Sequence, residues 1–233
     1  MTTRILRAGA AIAGLTGLLF TAACGDGGGE RARTERAARK TAVAAKGTVL
    51  TQQQLEKAAV AKEDLPGYTV DWLTAHTTAP SLPTDPAQCQ AVGDTLGLVS
   101  RYRPTARLIR IVTKPGEDGA TLALAAYRAG DAERAMADIR MGLRTCPGRS
   151  FAPGDSFHYQ EVAALPGRGQ GDESVSFKLV QVMEGVKQRP AFTFVVVRSG
   201  STVAIFRAMN LNGRPAVVSA GMVDAQVRKV TKS

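Results

Sequence analysis

The sequence predicts an α+β domain, a mostly antiparallel β-sheet with helices packed on one face, behind an N-terminal signal peptide and a flexible tether. Short runs of alternating apolar and polar residues, typical of strands, occur before and after one strongly amphipathic helix. A second amphipathic helix closes the 233-residue chain. The first 47 residues contain no pattern of either kind that could form a packed core. Strand runs interrupted and closed by helices favour the α+β class.

The first residues have the organisation of a lipoprotein signal. Arg4 and Arg7 are followed by the uncharged stretch Ala8–Phe20, which is too short to span a bilayer because a spanning helix needs roughly 20 residues. Thr21-Ala22-Ala23-Cys24 then places small residues before a cysteine, although Thr21 stands where an aliphatic residue is usual. We therefore predict that residues 1–23 are a lipoprotein signal peptide and that Cys24 is lipidated. The alternative is an ordinary signal peptide that leaves Cys24 as a free thiol.

Residues 24–47 are predicted to be the lipidated cysteine and a flexible charged tether. Gly25-Asp26-Gly27-Gly28-Gly29 is flexible, and residues 30–47 are rich in alanine and charge, with few large apolar side chains to bury. Two acyl chains anchor a protein stably. This predicts a protein held on the outer face of the cytoplasmic membrane. The basic tether could be attracted to anionic lipids, or it could be a solvated spacer.

The charge of the chain narrows the choice of partners. The formal net charge is +10, and the signal peptide accounts for two of the arginines. Export argues against nucleic acid, so anionic envelope polymers or lipid head groups are the partners that the charge predicts. The densest basic run is Arg101, Arg103, Arg107 and Arg110, which we interpret as a solvated strand face.

Residues 48–233 are predicted to form a single domain, with no second linker and no internal repeat. Its first half is predicted to contain a helix capped by Thr51 and running through Ala61, a strand Tyr68–Leu73, a proline-rich loop, a helix holding Cys89, Val92 and Leu96, and strands Thr105–Thr113 and Ala120–Arg128. Its second half is predicted to contain a helix capped by Asp131 from Ala132 to about Thr145, strands Ser156–Ala164, Glu173–Met183, Ala191–Ser199 and Ser201–Met209, and a helix from Pro215 to about Val230.

The two remaining cysteines are predicted to form a disulfide. Once Cys24 is acylated, Cys89 and Cys146 are the only free thiols, and the exported location is oxidising. Each lies on the apolar stripe of a predicted helix, so each should face inward. The alternative is a pair of separate buried thiols.

Several of these segments recur together in one family. They are Leu55…Leu65-Pro66-Gly67-Tyr68, the paired cysteines, the helix Asp131–Cys146, the strand pair around Gly171-Asp172-Glu173-Ser174, and Ala225-Gln226-Val227…Lys229. The chain resembles the PknH-like extracellular sensor domain of some mycobacterial serine/threonine kinases and many actinobacterial lipoproteins, over roughly residues 50–231. The resemblance implies a ligand-sensing or ligand-binding module with a cleft and no established chemistry. The chain departs from the kinase sensor in having no kinase and two domain cysteines instead of two disulfides.

The sequence predicts no catalytic, metal or cofactor site. Its only histidines are His76 and His158, which makes a multi-histidine metal site untenable. Gly154-Asp155-Ser156 resembles the start of a lipase motif, but an alternating strand follows, so we do not predict Ser156 to be a nucleophile. Gly167, Gly169 and Gly171 lack the Lys-Ser/Thr and the helix of a phosphate loop, and are read as a flexible hairpin loop. Tyr68 and Trp72 are expected to pack in the core or at its rim instead of forming a ligand platform.

Three hypotheses about function follow. The first is a non-catalytic ligand-binding or sensing module for an unknown small molecule, lipid or anionic envelope ligand, and we therefore do not predict an enzyme. The second is a structural partner of another cell-envelope protein, and the third is a serine hydrolase using Ser156. A cleft lined by apolar and cationic side chains would favour the first, a flat exposed apolar patch the second, and a serine–histidine hydrogen bond the third.

Overall fold

The structure is a computed structural model that describes residues 48–73, 81–146, 150–153, 157–167 and 169–233. The strands are β1 Thr69–Leu73, β2 Thr84–Asp85, β3 Ala106–Thr113, β4 Ala120–Ala126, β5 Ala152–Pro153, β6 His158–Leu165, β7 Glu173–Val182, β8 Ala191–Ser199 and β9 Thr202–Asn210. The helices are α1 Gln52–Ala58, α2 Gln90–Leu96, α3 Asp131–Thr145 and α4 Ala220–Thr231, with 3₁₀ turns at Lys62–Asp64 and Ala87–Cys89.

Seven of the strands form one antiparallel sheet in the order β1-β3-β4-β9-β8-β7-β6. The sheet is built from hairpins, and the tightest of them joins β8 to β9, with Ser199 paired to Thr202 across Gly200-Ser201. β2 and β5 form a separate two-stranded ladder, in which Thr84 pairs with Pro153. The predicted α+β class with a mostly antiparallel sheet is confirmed.

The helices cover both faces of the sheet, and the prediction that they lie on one face is wrong. Phe206 belongs to a buried cluster with α1 and α4, whereas its neighbour Ile205 belongs to a second cluster with α2 and α3. Successive strand residues point to opposite faces, so the two clusters lie on opposite sides of the sheet. We call these helix pairs the α1/α4 layer and the α2/α3 layer. The physical reason is that the central strands are apolar on both faces: β4 and β8 are almost continuously buried.

The helix ends differ from the predictions in ways that local chemistry explains. Thr51 caps α1 as predicted, and its side chain and that of Gln54 form a reciprocal capping box. α3 begins at Asp131 instead of after it, because Gly130 occupies the cap position with a left-handed backbone. α4 begins at Ala220, five residues later than predicted, after Ser219.

The predicted signal peptide, Cys24 and the predicted tether lie outside the described residues. Within the described ranges, no helix is both long enough and apolar enough to cross a membrane.

Candidate functional site

A disulfide joins the start of α2 to the end of α3. Cys89 ends the 3₁₀ turn that leads into α2, and Cys146 follows the last residue of α3. The two Cα atoms are 4.7 Å apart and the sulfurs are bonded, a separation within the usual range for a disulfide. Both side chains are buried in the cluster of the α2/α3 layer, as their positions on the apolar stripes predicted. The bond therefore fixes the spacing of these two helices at one end.

Small residues let the helices of this layer come close together. A Cβ atom on Gly142 of α3 would lie 3.2 Å from Cγ2 of Val92 and 3.6 Å from Cβ of Ala91, both on α2. A Cβ atom on Gly93 would lie only 2.5 Å from the Thr84 hydroxyl oxygen of β2. Larger residues at either position would push α2 away from its neighbours. The close approach is local, and the helices diverge enough nearby to leave a cavity.

The cavity between α2 and α3 has a volume of about 310 Å³. Ligand pockets usually begin at about this size. Its walls are mainly apolar, and they include Ala91 of α2 and Ala135, Ile139 and Gly142 of α3. The exposed thioether of Met141 lies at its edge.

One of the residues that line the cavity, Asp94, carries a buried carboxylate. The residue is only 4% exposed and lines the cavity. Its Oδ1 atom accepts hydrogen bonds from the Ser81 hydroxyl and from the Gln90 side-chain amide. No basic nitrogen of the described residues lies within 4.0 Å of this carboxylate. The walls are thus apolar as the binding hypothesis predicted, but the buried charge that lines them is negative instead of positive.

A second carboxylate at the cavity, that of Asp138, is already neutralised. Arg101 Nε lies 2.9 Å from Asp138 Oδ2, and the Tyr102 hydroxyl donates a hydrogen bond to the same oxygen at 3.0 Å. The guanidinium groups of Arg101 and Arg134 both stack on the Tyr102 ring. This pair therefore adds no net charge to the cavity.

Two arginines from the sheet hold the carboxyl end of α2. Arg107 of β3 donates to the Leu98 carbonyl at 2.6 Å, and Arg207 of β9 donates to the Leu96 carbonyl at 2.7 Å. Cations are favoured at a helix C-terminus because the last carbonyls there lack helical partners. Burial lowers the pKa of both guanidinium groups below the ordinary 12.5. They nevertheless remain charged at neutral pH.

The basic run from Arg101 to Arg110 does not form the solvated strand face that the sequence analysis predicts. Arg101 and Arg103 are exposed, but they precede β3. Arg107 and Arg110 lie three residues apart on β3 and so point to opposite faces, where both are mostly covered. Residues of a common solvated face would have to be an even number of positions apart.

Trp72 lies at the edge of the sheet, with its ring against the Arg110 guanidinium group. It is 67% exposed on the edge strand β1, and the Arg110 guanidinium carbon lies 3.2 Å from its ring centroid. Tyr68 is half-buried against the α1/α4 layer, with its hydroxyl 2.6 Å from a Glu117 carboxylate oxygen. Neither residue lines the cavity between α2 and α3. The prediction of core or rim packing agrees with these positions.

Two larger cavities are less suited to a small organic ligand. One of about 500 Å³ lies beside Thr48 and the C-terminal end of α4, with walls that are as polar as they are apolar. The other, of about 470 Å³, lies between Lys187-Gln188-Arg189 and Leu211-Asn212-Gly213 and opens more widely to solvent. The α2–α3 cavity has the most apolar walls of the three.

The remaining predicted positions give no catalytic constellation in the described part of the chain. Ser156 and His76 lie outside the described residues, and His158 is exposed at the start of β6. Gly167, Gly169 and Gly171 lie in the connection between β6 and β7, which are antiparallel neighbours. Among the residues that the structure describes, no three His, Cys, Asp or Glu side chains are placed to hold a metal ion.

The sequence interpretation missed Asp94, Gln90 and Ser81. One local signal was present, since Gln90 and Asp94 are four residues apart and therefore neighbours on one helix face. Ser81 lies in a proline-rich loop, and its contact with α2 depends on the tertiary fold.

Comparison with known proteins assigns no family. No protein-family model matches the chain, and no curated protein matches it in sequence. Among solved structures, it is similar to the crystal structure of the extracellular domain of PknH from Mycobacterium tuberculosis, with a TM-score of 0.49 and 11% identity over 80% of this chain and 100% of that chain. The resemblance predicted from the sequence thus has a weak structural counterpart and no counterpart among sequence families. A likeness at this level assigns neither a family nor a ligand.

Proposed function

We propose that the chain is a lipid-anchored extracytoplasmic binding module, without catalysis, that holds a small ligand in the cavity between α2 and α3. The observation that carries this proposal is the cavity itself, which has apolar walls and one buried, hydrogen-bonded carboxylate. A few convergent polar groups in an apolar cleft are typical of small-molecule sites. The disulfide beside it supports export, because such bonds persist in oxidising compartments.

The construction of the site supports binding more than packing. The disulfide, the close contact at Gly142 and the two arginines at the end of α2 hold the helices at separate points around the cavity. A space maintained by so many independent contacts is preorganised, and preorganisation reduces the entropy cost of binding.

The cavity is tested by filling it. Ala91 lines the cavity and is partly exposed, so Ala91→Leu should occupy the space while preserving helix propensity. Ala137→Leu is the matched control, because Ala137 is exposed on α3 and does not line the cavity. Native mass spectrometry of the full chain extracted from membranes should show a small-molecule adduct in the wild type and the control. The same adduct on Ala91→Leu would reject this cavity as the site.

The anchor is tested separately. Cys24→Ala should release the protein from membranes or leave it unprocessed, because Cys24 supplies the thiol that the predicted lipid modification needs. Membrane fractionation and mass spectrometry of the mature N-terminus give the answer. An unmodified Cys24 on the wild-type protein would reject lipid anchoring and would leave the cavity test intact.

A second candidate function is favoured by the edge of the sheet. β1 is an edge strand, and it presents Trp72, 67% exposed, on the Arg110 guanidinium. Exposed Trp and Arg are enriched where proteins bind one another. A strand of another envelope protein could pair with β1 there.

Site-specific photo-cross-linking in intact cells separates this alternative from small-molecule binding. A photoreactive side chain at position 72 should give one discrete protein adduct that the same group at position 217 does not give. Val217 is a matched control because it is 62% exposed and lies outside the sheet. Identical cross-linking patterns from the two positions would reject docking at β1.

A further inference from the structure

The buried carboxylate of Asp94 accepts hydrogen bonds, but no basic side chain of the described residues pairs with it. Ser81 and Gln90 both donate to Oδ1, and both donors are neutral. No described residue donates a hydrogen bond to Oδ2. An ionised carboxylate removed from water is stabilised most by a cation that hydrogen-bonds to it. The cavity wall therefore presents an acceptor whose best partner is a positively charged donor.

The other charges at the cavity do not supply that partner. Among the described residues that line it, Arg101 is the only basic one, and its Nε lies 2.9 Å from Asp138 Oδ2. The Arg107 and Arg207 guanidinium groups donate to the carbonyls of Leu98 and Leu96, just past and at the end of α2, and neither residue lines the cavity. The charged residues of the described lining are Asp94, Asp138 and Arg101, so their formal charge is −1, although the whole chain carries +10. This local negative charge favours a cation in the cavity, although the net positive charge of the whole chain repels cations.

The rest of the cavity wall offers a ligand mainly apolar contact. Ala91, Ala135, Ile139 and Gly142 offer apolar contact, and the hydroxyls of Thr95 and Ser100 have partners at the Ala91 carbonyl and the Tyr127 hydroxyl. A volume of about 310 Å³ admits a short apolar group and not a long acyl chain.

We propose that the α2–α3 cavity binds a primary ammonium ion carrying a short apolar group, with the ammonium donating to Asp94 and the apolar group lying against α2 and α3. This inference rests on the proposed function and names its ligand class. It differs from the anionic partner that the net charge of the chain predicted. The ammonium supplies a positive charge beside Asp94, and the apolar group gains the free energy of leaving water.

Three probes of equal length test the inference on the full chain. Isothermal titration calorimetry with hexylammonium, 1-hexanol and hexanoate compares a cation, a neutral alcohol and an anion on unbranched six-carbon chains. Hexylammonium should bind at least tenfold more tightly than 1-hexanol, and hexanoate more weakly than both. Asp94→Asn keeps the shape and the Oδ1 acceptor, so it should abolish the preference for hexylammonium while 1-hexanol still binds. Asp71→Asn, at an exposed position on β1, is the matched control and should change nothing.

The outcomes separate this inference from the proposed function. Equal binding of hexylammonium and 1-hexanol, or tighter binding of hexanoate, overturns the cationic ligand and leaves a neutral or anionic ligand for the same cavity. Binding of all three probes that Ala91→Leu does not weaken rejects the cavity, and with it the proposed function. The wild-type comparison needs no variant, so a failure of Asp94→Asn to fold still leaves a decisive result.

Discussion

The two helix layers cover the same sheet but are fastened by different chemistry. In the α1/α4 layer, the fully buried side-chain amide of Gln226 accepts from the Val60 N–H and donates to the Ala58 carbonyl. These two neutral hydrogen bonds close the end of α1 against α4, and a partly exposed ion pair between Lys229 and Asp64 joins α4 to the turn after α1. The α2/α3 layer is fastened by a disulfide and by charged groups, among them Arg107 and Arg207 at the end of α2. It also contains the cavity and the buried Asp94.

The difference indicates a division of labour between the layers. Neutral hydrogen bonds within close apolar packing specify one arrangement of α1 against α4. A covalent bond and ion–carbonyl contacts can hold α2 and α3 in place without filling the space between them. We infer that the α1/α4 layer mainly stabilises the sheet, whereas the α2/α3 layer provides the proposed ligand site.

Removing the disulfide should have the largest effect. The chain-entropy model values a bridge that closes a loop of this length, 57 residues in sequence separation, at about 4 kcal/mol. Cys89→Ser/Cys146→Ser should therefore lower the free energy of unfolding by about 2–5 kcal/mol, measured by urea denaturation. Membrane attachment should be unchanged, because Cys24 is untouched. Equal stability of the wild type with and without a reducing agent would show that the bond does not hold the α2/α3 layer.

Replacing the buried amide tests the other layer. Gln226→Leu leaves the Val60 N–H and the Ala58 carbonyl without partners in the core. It should lower the free energy of unfolding by about 2 kcal/mol or more, since two groups lose their partners and each buried unsatisfied group costs about 1–3 kcal/mol. Gln53→Leu is the control, because Gln53 is exposed on α1. If both variants lose the same stability, the amide is not what closes this layer.

The sequence predicted the elements better than their arrangement. Periodicity located every strand of the large sheet to within a few residues, because alternation depends on local neighbours alone. The nearly continuous apolar run of β8, from Ala191 to Val197, is the sequence sign of a strand that is buried on both faces. From the sequence we assigned Phe192, Phe194 and Val196 to one face and did not assign the alternate residues to a second buried face. The spacing of Gln90 and Asp94 was visible in the sequence, but the burial of Asp94 was not, because it depends on how the loop that holds Ser81 and the helix α3 pack against α2.

An ion network gives the α2/α3 layer a dependence on pH. Burial alone would raise the pKa of Glu173, but hydrogen bonds from Arg140 of α3 and Arg198 of β8 outweigh it and hold the pKa below the ordinary 4.5. The ionised carboxylate therefore contributes stability above pH 4.5, and this contribution is lost as the pH falls through the pKa of the folded state.

Glu173→Gln should accordingly be less stable than the wild type at pH 7, by about 1 kcal/mol or less because the network is partly exposed. The difference should shrink as the pH falls below 4.5. Unfolding curves between neutral and acid pH give the measurement. A difference that is constant with pH would mean that the charge of Glu173 contributes nothing.

The cap of α1 should give the smallest effect. Thr51→Ala removes the hydroxyl that accepts from the Gln54 N–H. The free energy of unfolding should fall by about 0.5–1 kcal/mol, as expected for a lost helix cap on the surface. Thr69→Ala, at an exposed position on β1 outside any cap, should cost less. A larger loss of unfolding free energy in Thr69→Ala than in Thr51→Ala would show that the capping box does not stabilise the α1/α4 layer.

Amide hydrogen exchange of the full chain, with and without saturating hexylammonium, tests the division of labour most directly. Binding in the cavity should slow exchange in α2 and α3, by about tenfold or more at ligand concentrations well above Kd, because opening that layer must release the ligand. Exchange in α1 and α4 should be unchanged wherever those helices open locally. Protection of α1 and α4 with none in α2 and α3, or protection spread equally over the two layers, would contradict the assignment of the ligand site to the α2/α3 layer.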